Sequence, residues 1–190
     1  MTLFFLLLGG YMLGNVLTAS VIGTFIYKKN IRMEGSGNPG ARNAGRVLGK
    51  KAFVATFIGD ALKGALAVMV TKWLGFGAVI ELFVLFAVML GHVYPFILRF
   101  RGGMGVSTFI GGMLAFNPLL FAMFVGVFLL FYPMFRSFTL AGLSAVVLMP
   151  ALLLVFSYEV PAMLTAGLLS ALLLFAHRED LKEKLMPKRG

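Results

Sequence analysis

The sequence predicts an all-α integral membrane protein with seven transmembrane helices, an external N-terminus and a cytoplasmic C-terminus. Of its 190 residues, 60% are hydrophobic, and the mean hydropathy is +0.96. A soluble domain is typically about half apolar, so the excess apolar surface has to face lipid. A bilayer core of about 30 Å takes roughly 20 helical residues, and the apolar stretches have lengths of this order. No polar stretch is long enough to fold separately, so residues 1–190 are expected to form a single membrane-embedded domain.

The composition excludes several kinds of site. The chain has no cysteine, which rules out disulfides, thiolate catalysis and cysteine-ligated metals. Its two histidines are too few for a histidine-rich metal site, and no metal or organic cofactor is expected. The net charge of +10 is typical of some nucleic-acid-binding proteins. In a membrane protein it instead indicates topology and anionic partners, such as phospholipid headgroups or phosphorylated substrates, so no nucleic-acid partner is expected.

The apolar stretches separate the basic residues into groups on one side of the membrane. The stretches are Leu3–Tyr27, Ala52–Val70, Phe76–Leu98, Val106–Phe135, Phe138–Phe156 and Val160–Ala176. The first is expected to be a retained span, since no basic region and small-residue cleavage site mark it as a signal peptide. Basic residues concentrate at positions 28–51, at Arg99 and Arg101, and in the tail from Arg178 to Arg189. The positive-inside rule places these three groups in the cytoplasm.

The fourth stretch determines the predicted number of crossings. If Arg101 and Arg136 are both cytoplasmic, the chain crosses the membrane an even number of times between them. Asn117-Pro118 interrupts the stretch, and proline breaks a helix. We therefore expect two short helices that meet at Pro118, or a re-entrant pair, which gives seven crossings. The alternative is one long tilted helix with Arg136 outside, which gives six crossings and both termini on the same side.

The densest polar segment runs from Gly35 to Arg46 and reads GSGNPGARNAGR. Its glycines allow successive amide N–H groups to face an anion, and its arginines can donate charge-assisted hydrogen bonds to phosphate. The segment is not a Walker loop, because the Gly-Lys-Ser/Thr ending is absent. It predicts a phosphate-binding loop at a helix start. The alternative is a flexible polar loop whose arginines only set topology.

Asp60 and Lys63 lie inside the second apolar stretch. Because they are three residues apart, they share one helix face. Ionisable residues at membrane depth are costly and by default mark a functional site, although a mutually neutralising structural pair would explain them equally well.

Two further polar segments are predicted on the same membrane face. His92 precedes a glycine-rich turn, RGGMGVST, which starts the next helix and predicts a second anion-binding site. Beside two basic glycine-rich loops, His92 is a candidate acid/base group. His177 opens the tail in the sequence HRED, for which a solvated helix end is the simpler explanation.

Taken together and in this order, four motifs resemble those of the bacterial acyl-phosphate-dependent glycerol-3-phosphate acyltransferases, small multi-span enzymes that begin phospholipid synthesis. The motifs are GSGNPGARNAGRVLGKKA, GDALKG, GHVYPFILRFRGGMGVST and HREDLK, and they extend from about Gly35 to Lys182. The resemblance implies seven spans with cytoplasmic motifs in the bacterial inner membrane. It also implies acyl transfer from acyl phosphate to glycerol 3-phosphate, giving lysophosphatidic acid. The alternatives are a paralogue that acylates another acceptor and a non-catalytic protein that binds or transports lipid phosphates.

The resemblance also implies roles for individual residues. The catalytic candidates are Ser36, His92 and His177. Asp60 and Glu179 are structural candidates. The substrate-binding candidates are Gly35, Gly37, Asn38, Arg42, Asn43, Arg46, Lys63, Gly102, Gly103, Gly105 and Asp180. Ser36 and the loop amides would orient the donor and stabilise charge on its carbonyl oxygen, while His92, His177 or the substrate phosphate would take the acceptor proton.

Three positions depart from the pattern that the resemblance implies. Arg42 stands where threonine is usual, Met104 where lysine is usual, and Asp180 where asparagine is usual. Losing a lysine at 104 removes a phosphate partner, and Arg42 in the other loop is expected to restore the charge. Asp180 adds a negative charge that would disfavour an anionic substrate unless it pairs with an arginine such as Arg178.

Overall fold

The computed structural model describes residues 1–185, in which all regular secondary structure is helical. The predicted all-α class is therefore confirmed for this part of the chain, while the predicted tail residues Lys188 and Arg189 lie outside it. The backbone contacts divide the chain into two compact units, Met1–Phe116 and Asn117–Gly190. The single-domain organisation stays a prediction, and each unit is described by itself.

The first unit contains six α-helices that pack through close backbone contacts. They are α1 (Thr2–Gly14), α2 (Thr18–Phe25), α3 (Ala41–Leu48), α4 (Lys50–Trp73), α5 (Ala78–Val93) and α6 (Val106–Phe116), with 3₁₀ turns at Ile31–Met33 and Phe96–Leu98. Helix α4 packs on α6, and α1 packs on α5. A Cβ atom at Gly64 would collide with the Thr108 carbonyl oxygen, and one at Gly111 with that of Ala61. Small residues thus let these helices approach closely.

Close backbone packing is found at some helix glycines and not at others. A Cβ at Gly14 would collide with the Val88 carbonyl oxygen, and one at Gly91 with that of Tyr11, so α1 and α5 are also in backbone contact. By contrast, within the described residues no heavy atom lies within 4 Å of a Cβ built at Gly9 or at Gly142. Packing within the described structure therefore explains Gly14 and Gly91, but it does not explain Gly9 and Gly142.

The first apolar stretch is broken into two helices, which the sequence did not predict. Helices α1 and α2 form an angle of 43° at a break over residues 15–17. The Asn15 side chain donates a hydrogen bond to the Tyr11 carbonyl oxygen at 2.7 Å, within the last turn of α1. Side chains of α4 stabilise the break itself, and their contacts form part of the candidate site.

The second unit begins with the predicted break at Asn117. Its helices are α7 (Pro118–Phe135), α8 (Phe138–Val147), α9 (Met149–Val155), α10 (Val160–Ala176) and α11 (Arg178–Leu185). Asn117 caps α7 by accepting hydrogen bonds from the N–H groups of Leu119 (3.0 Å) and Leu120 (3.1 Å). The two helices that meet at Pro118 have 11 residues (α6) and 18 residues (α7), so α6 is clearly short and α7 is at the lower limit of a span.

The stretch predicted from Phe138 to Phe156 is also broken. Helices α8 and α9 form an angle of 44°. Pro150 lies in the first turn of α9, where proline is tolerated, whereas a continuous helix would lose a backbone hydrogen bond there. The sequence signal for this break was therefore Pro150, which our prediction did not use.

Up to six segments in the described residues are long and apolar enough to cross a membrane. Helix α4, the segment Ala78–Leu98 and α7 are each long and apolar enough to span a bilayer, and α6 is a shorter apolar helix. Three bent pairs, α1–α2, α8–α9 and α10–α11, pass the same test as pairs. The seven crossings, of which α6 would be one, and the sidedness of the termini stay predictions.

Candidate active site

A buried charged cluster lies at the centre of the first unit. Lys63 Nζ lies 3.0 Å from Asp60 Oδ1 and 2.7 Å from His92 Nδ1. The three residues are 4%, 1% and 2% exposed, respectively. Because a lysine ammonium can only donate, His92 Nδ1 has to accept from it, and the ring hydrogen is then on Nε2. The predicted helix-face pair of Asp60 and Lys63 therefore also includes His92, from a different helix.

This cluster stabilises the break between α1 and α2. Lys63 Nζ donates to the carbonyl oxygens of Gly14 (3.2 Å) and Val16 (2.8 Å). Asp60 Oδ1 accepts from the Thr18 hydroxyl at 3.0 Å, and the Thr18 N–H lies 3.4 Å away. Every proton of the Lys63 ammonium thus has a protein partner. These contacts support a structural role for Lys63, which the family pattern had grouped with the substrate-binding residues.

The second glycine-rich turn packs against the C-terminal end of α5. The Gly102 N–H donates to the Val93 carbonyl oxygen at 3.0 Å, and the Gly103 N–H donates to that of His92 at 3.0 Å. A Cβ at Gly103 would collide with His92 Nε2. Glycine is therefore required here for close approach. Since both amides are already bonded to α5, neither can bind an anion as the sequence predicted.

The same turn still offers donors at the start of α6. Gly105 has a φ of +82°, a left-handed conformation that favours glycine, and its carbonyl oxygen accepts from the Phe109 N–H at 2.9 Å. The first N–H groups of an α-helix have no partner within the helix, so those of α6 are the potential anion donors of this segment. Met104, which lies between Gly103 and Gly105 in sequence, is half-buried.

Asn43 holds the first glycine-rich loop in its conformation. Its side chain is buried, and Oδ1 accepts from the Ser36 N–H at 2.9 Å. Its Nδ2 donates to the carbonyl oxygens of Ile31 (3.1 Å) and Glu34 (3.0 Å). A Cβ at Gly35 would collide with Asn43 Oδ1, and the φ of Gly35 is +61°. The side chain of Asn43, a predicted substrate ligand, is thus committed to the backbone of its own loop.

Other predicted residues of this loop remain accessible. Ser36, Arg42 and Arg46 are exposed, and the two arginines share one face of α3 because they are four residues apart. Asn38 is half-buried, and its Oδ1 is shielded from solvent without a hydrogen-bond partner among the described residues. Buried polar atoms are rarely left unpaired, so Asn38 is suited to accept a hydrogen bond from a bound molecule.

His177 and its neighbours lie in the second unit. His177 is buried, and its Nδ1 lies 2.8 Å from the Leu173 carbonyl oxygen, to which it donates; Nε2 is then the basic ring nitrogen. Arg178 stacks on Phe175, with 4.3 Å from its guanidinium carbon to the ring centroid. Arg178 also lies 3.5 Å from Glu179 Oε1. The arginine expected to neutralise Asp180 therefore pairs with Glu179 instead.

The first unit brings together most of the predicted residues, namely those of the first loop, the Asp60–Lys63 pair, His92 and the second turn. Sequence reasoning missed Thr18 and the carbonyl groups of the α1–α2 break. Thr18 is 42 residues from Asp60, so no local pattern could have linked them. Among residues 1–185, no group of three or more histidine, cysteine, aspartate or glutamate side chains could hold a metal ion.

Comparison with known proteins gives one consistent result. The family model described as glycerol-3-phosphate acyltransferase matches residues 4–186. A relative from Bacillus cereus, named glycerol-3-phosphate acyltransferase 1, is 43% identical over 176 residues, which are 93% of this chain and 97% of the relative. A glycerol-3-phosphate acyltransferase from Pseudomonas aeruginosa is 37% identical over 174 residues, which are 91% of this chain and 90% of the relative.

Two solved structures are also similar along the whole chain. They are crystal structures of PlsY (YgiH), described as an integral membrane glycerol 3-phosphate acyltransferase, in a glycerol 3-phosphate form and a lysophosphatidic acid form. Their TM-scores are 0.89 and 0.87, both at 32% identity, and each comparison covers 100% of this chain and 95% of the other. The predicted multi-pass, all-helical membrane fold is thereby confirmed.

Proposed function

Because this chain belongs to the glycerol-3-phosphate acyltransferase family and is an integral membrane acyltransferase, we propose that it acylates the 1-hydroxyl of glycerol 3-phosphate with acyl phosphate as the donor. An ester bond forms between the acceptor oxygen and the acyl carbon, the bond from that carbon to the phosphate oxygen breaks, and the hydroxyl proton is transferred to a base. The products are lysophosphatidic acid and inorganic phosphate. Family membership favours this reading over a non-catalytic protein that binds lipid phosphates.

The observation that carries this proposal is the conformation of the first loop. Asn43 holds the backbone from Ile31 to Ser36, while Ser36, Arg42 and Arg46 stay exposed. In this arrangement the Ser36 hydroxyl orients the donor and stabilises charge that develops on its carbonyl oxygen. The Ser36 N–H does not contribute to that stabilisation, since it already donates to Asn43. Arg46 and Arg42 bind the substrate phosphates through charge-assisted hydrogen bonds.

His92 acts as a positioning residue in this proposal. Its Nδ1 accepts from Lys63, its Nε2 lies against Gly103, and the residue is only 2% exposed. A general base has to come within hydrogen-bond reach of the proton that it removes, and the buried ring of His92 does not meet this requirement. We therefore assign the acceptor proton to a phosphate oxygen of the substrates themselves, while the role of His177, which lies in the second unit, stays a prediction.

Glycerol 3-phosphate reaches this site from the cytoplasmic face of the bacterial inner membrane, and acyl chains enter from the bilayer between helices. The basic segments 28–51 and Arg99–Arg101 support this sidedness. A reporter fused before Met1 should be external, and one fused after Gly190 should be cytoplasmic. Both termini on one side would contradict the seven-crossing topology.

The decisive experiment is an assay of the purified protein with acyl phosphate and glycerol 3-phosphate. We expect equimolar lysophosphatidic acid and inorganic phosphate. Parallel reactions contain acyl-coenzyme A or acyl-acyl carrier protein instead of acyl phosphate. Transfer from either thioester, but not from acyl phosphate, would contradict the proposed donor. Transfer to another acceptor, with no transfer to glycerol 3-phosphate, would contradict the proposed acceptor.

A further inference from the structure

An open cleft lies where α2 ends and the following loop begins. Its volume is about 480 Å³, and its lining includes three cationic side chains (Lys28, Lys29 and Arg32) and three neutral polar ones (Ser20, Thr24 and Asn30). Ligand sites typically occupy about 300–1,000 Å³, so the volume is sufficient for a small molecule or a lipid headgroup. Arg32 lies in the backbone segment that Asn43 holds, but none of the lining residues is assigned to a substrate in the proposed reaction.

The cleft has an excess of positive charge. Lys29 Nζ lies 3.4 Å from Glu34 Oε2, and Arg32 donates to the Leu98 carbonyl oxygen at 3.4 Å. Lys28 is exposed, and its ammonium has no ion-pair partner within residues 1–185. One carboxylate thus offsets one of the three cations of the lining. An anion in the cleft would find both a fixed guanidinium and an unpaired ammonium.

The Ser20 hydroxyl is a second, independent polar feature of the cleft. Its Oγ is shielded from solvent and has no hydrogen-bond partner in the part of the chain that the structure describes. A serine inside a helix often bonds to the carbonyl oxygen four residues earlier, and buried hydroxyl groups are rarely left unpaired. Because Ser20 also lines the cleft, its hydroxyl is placed to bind an oxygen atom of a molecule bound there.

The C-terminal end of α2 does not oppose an anion as strongly as a bare helix end would. The Gly23 carbonyl oxygen accepts from the Lys29 N–H at 2.8 Å. The Ile22 carbonyl oxygen accepts from the N–H groups of Ile26 (3.0 Å) and Tyr27 (3.2 Å). These bonds satisfy carbonyl groups that would otherwise carry the negative end of the helix dipole.

Exposed apolar side chains flank the cleft in sequence. Phe25 and Ile26, next to the lining residue Thr24, are each 70% exposed. Phe96 (52%) and Ile97 (62%) precede Leu98, which also lines the cleft. In a membrane protein, apolar side chains beside a basic surface lie among lipid acyl chains. A soluble phosphate compound has no acyl chain that could contact these apolar side chains.

We propose that the cleft binds the phosphate headgroup of an anionic phospholipid. The phosphate lies between Lys28 and Arg32, and the hydroxyl groups of Ser20 and Thr24 with the Asn30 side chain bind the remaining headgroup oxygens. Basic pockets at the cytoplasmic ends of transmembrane helices are suited to such headgroups, and charge-assisted hydrogen bonds to phosphate are strong. The acyl chains lie against Phe25, Ile26, Phe96 and Ile97. This site goes beyond the proposed reaction and does not depend on it.

The test measures lipid binding to the purified full-length protein in detergent by native mass spectrometry. The probes are phosphatidylglycerol, phosphatidylcholine with the same chains, and inorganic phosphate at matched concentrations. Lys28→Glu should raise the dissociation constant for phosphatidylglycerol about tenfold or more, because the reversed charge repels phosphate. The matched control is Lys51→Glu, which makes the same charge change at an exposed lysine outside the cleft and should change the constant by less than about twofold.

Ser20→Ala separates ligand binding from a structural role. It should weaken phosphatidylglycerol binding several-fold, because a ligand hydrogen bond is lost, while the thermal midpoint of the lipid-free protein stays equal or rises. Equal losses in Lys28→Glu and Lys51→Glu would overturn the site. So would unchanged binding in both Lys28→Glu and Ser20→Ala, or a lower lipid-free midpoint in Ser20→Ala. Competition by inorganic phosphate as effective as that by phosphatidylglycerol would reject a lipid occupant.

Discussion

The two glycine-rich segments of this protein share a high glycine content but have different structures. In the first loop, a buried asparagine holds the backbone so that Ser36 and two arginines remain exposed. In the second turn, the amides of Gly102 and Gly103 bond to the end of α5, and Gly103 lies against His92. Glycine therefore accompanies exposed polar side chains in one segment and close packing in the other. We expect substitutions in the first loop to change the reaction rate and those around the second turn to change stability.

Loss of Lys63 should have the largest effect. Lys63→Ala leaves the Asp60 carboxylate buried and frees the carbonyl groups of Gly14 and Val16. Breaking a buried ion pair typically costs about 3–5 kcal/mol of stability. The thermal midpoint in detergent should fall sharply, with activity lost in proportion to the folded fraction. The matched control is Lys51→Ala, at an exposed position of the same helix. A stable Lys63→Ala variant with a raised KM would instead support the predicted substrate-binding role of Lys63.

Ser36→Ala and Arg46→Ala should reduce the rate without reducing the amount of folded protein. Removing one preorganised group that stabilises developing charge costs on the order of 10²–10³ in kcat. Thermal midpoints should stay near that of the unmodified protein, because both side chains are exposed. Single-turnover rates and midpoints are measured on the same preparations, with Lys50→Ala as the exposed control. Near-normal turnover in both variants would show that the first loop has only a structural role.

The positive side chain that binds phosphate is expected to lie in the first loop instead of the second turn, because Arg42 is proposed to replace a lysine at position 104. Arg42→Thr should then lower kcat/KM. The loss of transition-state stabilisation should be about 1.5–3 kcal/mol, the range for a hydrogen bond to a charged group. Adding Met104→Lys should recover much of this loss, and the double-mutant cycle should show strong coupling. The measurement is kcat/KM for glycerol 3-phosphate. Additive effects would leave Arg42 as a topogenic charge only.

The smallest expected effect concerns the glycines themselves. Gly103→Ala forces a methyl group against His92 Nε2, and overpacking typically costs about 1–3 kcal/mol. In the first loop, Gly40→Ala meets only the Asn38 side chain at 3.2 Å and should cost less. Comparing the thermal midpoints of the two variants tests the difference between the segments directly. Equal midpoints would mean that the second turn moves away from α5 at little cost.

The sequence by itself determined the class of the protein. Its apolar stretches, its basic loops and four motifs in order were sufficient for an all-helical membrane acyltransferase, and Asn117-Pro118 predicted the break before α7. These features are local, because the length of a span, a proline break and a motif are each set by neighbouring residues. The pairing of Asp60 with Lys63 was also visible, since residues three apart share a helix face.

Tertiary structure alone decided how the polar groups are used. Lys63 was predicted to be a substrate ligand, but in the structure it donates to the carbonyl oxygens of Gly14 and Val16. These residues are 49 and 47 positions away in the sequence. The sequence shows that Gly103 is small, but not that His92 lies against it. Whether a donor is available to substrate depends on which distant partner already holds it. That pairing is fixed by how the helices pack, because a buried polar group takes the partner that packing brings within reach.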